Sequence, residues 1–100
     1  MGLYKKMRTS NGVPVEYHRI TRLEIETNLR VGVYVSSYLS QEERERELEG
    51  EHTFVAESYY CTETPEGPAT VAEAYSWLKA ERPEFEGAED VFEDTQEEAA

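Results

Sequence analysis

One hundred residues carrying 22 acidic and 10 basic side chains have a net charge of −12, and a chain so negative repels nucleic-acid phosphate and anionic lipid headgroups. The one cysteine, Cys61, excludes an internal disulfide framework and a cysteine-based zinc cluster. Hydrophobic residues make up 38% of the chain and seven tyrosines lead its aromatics, which excludes outright disorder and fits one small core.

The charge is uneven. Met1 to Arg30 carries +3, the central stretch to Arg82 carries −7, and Pro83 to Ala100 carries −8. No apolar run approaches the roughly 20 residues that span a bilayer, and the expected setting is a reducing one without a signal peptide.

In chain order, Gly2 to Thr9 predicts a strand that enters a tight turn at Ser10-Asn11-Gly12, where Asn-Gly supplies two positive-φ residues. Val13 to Ile20 returns as a second strand, with Pro14 suited to a sheet edge. A break is expected near Thr21 and Arg22. From Leu23 to Leu39 apolar residues recur at every second position: Leu23, Ile25, Leu29, Val31, Val33, Val35 and Leu39, interrupted by Thr27 and Ser37. This is a strand period with one oily face. Two readings fit it, a hairpin turning at Asn28 or one long strand bending at Gly32.

Ser40 to Gly50 is almost wholly charged. Ser40 and Glu43 fit a capping box for a short solvated helix, and a loop fits equally. Glu51 to Glu63, rich in β-branched and aromatic residues, predicts a further strand, and the Thr64–Pro68 cluster ends it. Thr70 and Glu73 then form a second capping pair, and Val71, Ala74, Tyr75 and Leu78 line one face of a helix that stops at Arg82-Pro83. Trp77 flanks that face. The expected fold is α+β: a mostly antiparallel sheet of four to five strands with one C-terminal helix packed on one face. Residues 1–92 form the single domain and 93–100 a disordered acidic tail.

Catalytic chemistry has little to work with. His18, His52 and Cys61 are read as half-exposed strand residues and a packing residue, and no spacing marks a metal site. The acids from Glu86 to Asp94 lack the pattern of a calcium loop. The expectation is a protein that is not an enzyme and has no cofactor and no metal. Tyr34, Tyr38, Tyr59 and Tyr60 on strands, with Trp77, are the candidate interface, because a sheet with one helix leaves a face for solvent or a partner.

Three stretches carry a resemblance: LYKKMRTSNGVPVEYHRI, VSSYLSQEERERE and TVAEAYSWLKAERPEFEGAEDV. Together they resemble a group of small, uncharacterised proteins encoded by tailed bacteriophages, often near tail and baseplate genes, across most of residues 3–91. The resemblance implies a structural or accessory virion protein without catalytic residues, located in the virion or the host cytoplasm. Its partners would be other phage structural proteins or copies of itself, with no nucleic acid and no membrane. The alternative is an acidic phage-encoded inhibitor that covers a basic surface of a host defence protein.

Overall fold

The computed structural model describes residues 2–91, so the expected tail at 93–100 lies outside the described residues. Five strands, β1 (Gly2–Arg8), β2 (Pro14–Glu26), β3 (Arg30–Tyr38), β4 (Val55–Cys61) and β5 (Glu89–Val91), form one antiparallel sheet in the order β4-β3-β2-β1-β5. Two helices accompany it: α1 (Gln41–Leu48) between β3 and β4, and α2 (Val71–Glu81), followed by a 3₁₀ turn at Pro83–Phe85. The expected single C-terminal helix is therefore corrected to two. The charged stretch after Ser40 is helical, and the Ser40 hydroxyl accepts from the Glu43 amide at 3.3 Å as the capping pattern requires.

The long apolar row is a hairpin. Asn28 adopts φ 62°, and the Leu29 amide closes the turn on the Glu26 carbonyl at 3.0 Å. Gly32 is no bend: it pairs regularly with Glu24 on one side and Cys61 on the other. The expected break near Thr21 is also corrected, since β2 runs on through a bulge between Ile20 and Arg22. Ile20 and Leu23 are out of phase in sequence, and one inserted residue restores the phase without ending the strand. The turn at Gly12 differs as well. Gly12 alone has positive φ, with its amide bonded to the Thr9 carbonyl, so the loop is three residues long. Pro14 opens the central strand of the sheet, where the first position asks for no amide.

The core lies between one sheet face and α2. Leu3, Ile20, Val33 and Val35 meet Ala74, Tyr75, Leu78 and Phe85, all buried, and the Leu, Ile, Val and Phe side chains each contribute about 2 kcal/mol by leaving water. The Ile20 amide donates to the Tyr75 hydroxyl at 2.9 Å, fixing helix against sheet. Val71, expected on the inward face, is exposed in the first turn. Thr70 caps Glu73 at 3.1 Å as expected, but the Glu73 carboxylate accepts from the Ala69 amide, one residue before the cap. β5 was not anticipated. It adds to β1 beyond Phe85 and is tied to α2 by Lys79–Asp90 at 2.7 Å.

Candidate protein-interaction surface

Register places the five candidate residues in three environments. On the sheet face away from α2, the cross-strand row Arg22, Tyr34 and Tyr59 runs from β2 through β3 to β4. The rings of Tyr34 and Tyr59 lie 4.8 Å apart and tilted, and the Arg22 guanidinium stands 5.2 Å over Tyr34 while pairing with Glu24 at 2.7 Å. Tyr59 is 45% exposed. Its ring lies over Gly32, where an added Cβ would come within 2.7 Å of it, so the missing side chain is what lets the ring lie flat on the sheet. An amphipathic, pre-ordered pair of tyrosines beside an arginine is the composition that interface centres favour.

Tyr38 does not belong to this patch. It is 1% exposed, packed on Tyr17 and roofed by α1, with its hydroxyl donating to Glu47 at 2.8 Å. Arg44, also buried, stands over the Tyr38 ring and pairs with the same Glu47. Burial, and then the Glu47 carboxylate, push the Tyr38 hydroxyl above its usual acidity range. Tyr60 alternates to the opposite face, half-buried edge-on against Phe85 with Arg82 over its ring. Trp77 is half-buried against the core on α2. Of the five candidates, Tyr34 and Tyr59 alone come together at the surface.

Sequence reasoning missed Arg22, whose signal was its register opposite Tyr34. Which strand forms an open edge is given by the structure: among the described residues no strand pairs with the outer side of β4.

The α2 side of the sheet carries different chemistry. His18, expected half-exposed, is 1% exposed, and its ring packs edge-on against Phe85. The Nε2–H donates to the Lys5 carbonyl at 2.8 Å, within a bulge of β1, because a carbonyl can only accept. Nδ1 therefore accepts from the Ser37 hydroxyl, at 2.7 Å. Desolvation holds the His18 pKa below its ordinary 6.5, with the Lys5 hydrogen bond opposing it. Ser37, with Ala56 and Ser58, floors an open cavity of about 580 Å³ walled by Met7, Val15 and Phe54. Ser37 and His18 are both buried partners across neighbouring strands, so the pair acts as a structural bond beneath the cavity. Cys61 alternates to the other face, away from His18. Among the described residues no group of three His, Cys, Asp or Glu is placed to hold a metal ion, and no helix is long and apolar enough to cross a membrane. Comparison with protein-family models, curated proteins and solved structures finds no match to this chain.

Proposed function

We propose that this chain is a small structural or accessory component of a tailed-bacteriophage particle, associated with the tail or baseplate, that acts through protein contacts and not through catalysis. The observation that carries the contact reading is the Arg22–Tyr34–Tyr59 row, an aromatic patch that ends at an open strand edge. The resemblance of three stretches of the chain to phage proteins supports the setting. Exposed tyrosines lose little side-chain entropy when covered, and a free edge offers backbone hydrogen bonds to any partner that presents a strand.

Quantitative mass spectrometry of purified particles tests this reading. The chain is expected at a fixed copy number per particle, and Tyr34→Ala with Tyr59→Ala should reduce incorporation at least tenfold, the loss of roughly 1.4 kcal/mol or more. Absence from particles, with salt-sensitive capture of one basic host protein, would overturn it in favour of the inhibitor reading, which rests on the net charge of −12.

A further inference from the structure

The two edges of the sheet are built differently. Among the described residues β5 spans Glu89–Val91 and carries Glu89 and Asp90, charges of the kind that discourage strand addition. β4 is seven residues long, pairs with β3 in unbroken register, contains no proline, and carries one charge, Glu57. That single charge is its one protection.

The direction of its free groups follows from the ladder. The Thr62 amide donates to the Val31 carbonyl at 3.0 Å, so residues in step with Thr62, namely Tyr60, Ser58 and Ala56, turn their backbone groups inward to β3. Val55, Glu57, Tyr59 and Cys61 turn theirs outward, away from every described strand.

We infer that β4 pairs antiparallel with β4 of a second copy about a two-fold axis at Ser58, joining two five-stranded sheets into one. In that register Glu57 faces the second copy's Tyr59 and Val55 faces its Cys61, so all four outward residues fall in hydrogen-bonded pairs. Ser58 meets Ser58, and the small Ala56 lies opposite the large Tyr60. An axis at Glu57 sets two like charges against each other, which is destabilising. An axis at Tyr59 leaves Val55 without a strand partner. The Ser58 register alone uses every free group and opposes no like charges. It also continues the row from Arg22 through Tyr34 and Tyr59 onto the second copy, and brings the two cavities floored by Ala56 and Ser58 together on the other face.

The inference rests on the protein-contact reading above and names a second copy as its first partner. Its test is made on the purified full chain, with Cys61→Ser as background. Ser58→Cys places two thiols at a non-hydrogen-bonded pair, where Cα atoms approach within disulfide range, whereas Glu57→Cys leaves its thiols offset by two positions. Under mild oxidation Ser58→Cys is expected to form covalent dimer about ten times faster than Glu57→Cys. The wild-type chain should scatter light as a dimer, and Glu57→Pro, which deletes an outward amide and leaves the β3 ladder intact, should be monomeric with unchanged circular dichroism. A monomer at all concentrations, or equal or reversed crosslinking rates, would overturn the inference. A monomer found at fixed copy number in particles sinks the dimer and leaves the particle reading standing. A dimer absent from particles does the reverse.

Discussion

His18 shows how one buried side chain ties ionisation to folding. Its folded pKa lies below the unfolded value of 6.5 because burial disfavours the charged ring. Above pH 6.5 both states are neutral and the fold keeps its full stability. As the pH falls below 6.5 the unfolded chain takes up a proton first, and stability declines until the folded pKa is reached. Urea midpoints measured from pH 7.5 to pH 5 should therefore fall more steeply in the wild type than in His18→Gln. Equal slopes would show that His18 titrates freely. A second residue-scale prediction concerns Gly32. Gly32→Ala should displace the Tyr59 ring from Tyr34 while costing less than about 1 kcal/mol, since the atoms in the way belong to an exposed, movable side chain. A nuclear Overhauser contact between the two rings, present in the wild type and lost in the variant, is the readout.

Among the elements, α2 was legible because three independent signals agree: an N-cap at Thr70, an apolar face, and Arg82-Pro83 at the end. Thr70→Ala should cost about 1 kcal/mol in chemical denaturation, with the loss confined to the cap. An effect under about 0.3 kcal/mol would mean that Glu73 and the Ala69 amide hold the first turn alone. The Asn28 hairpin was partly legible: a turn former sits beside the break in the apolar row at Thr27, while Gly32 offered a competing bend. α1 was only half legible. The residue it buries over Tyr38 is Arg44, and a pattern that counts arginine as surface cannot find that inward face. That blindness carried over to Tyr38, whose strand position equals that of Tyr34 and whose burial is decided by which half of the face α1 covers. Among the described residues β5 has three, two of them acids, and no periodicity to read.

At the scale of the whole molecule, charge opposes compactness. The net −12 is carried by the chain beyond Arg30, and the ion pairs that relieve it, such as Arg22–Glu24 and Arg82–Glu84, are exposed and worth little each. Screening should therefore stabilise the fold more than it weakens those pairs. Between 10 and 300 mM sodium chloride the melting temperature is expected to rise by roughly 5 °C, the equivalent of about 1 kcal/mol at this size. A fall would assign net stabilisation to the surface pairs. The bulge in β2 has a consequence for how the chain tolerates changes of length. Thr21 is the inserted residue: without it Ile20, Leu23 and Ile25 would alternate regularly and each would keep its present face. Loss of Glu24, three positions on, would instead move Leu23 and Ile25 to opposite faces. Loss of either bulge residue, Thr21 or Arg22, thus leaves inside and outside sorted as before, and a single-residue deletion scan of β2 should return a soluble, folded protein at Thr21 and failure at Glu24.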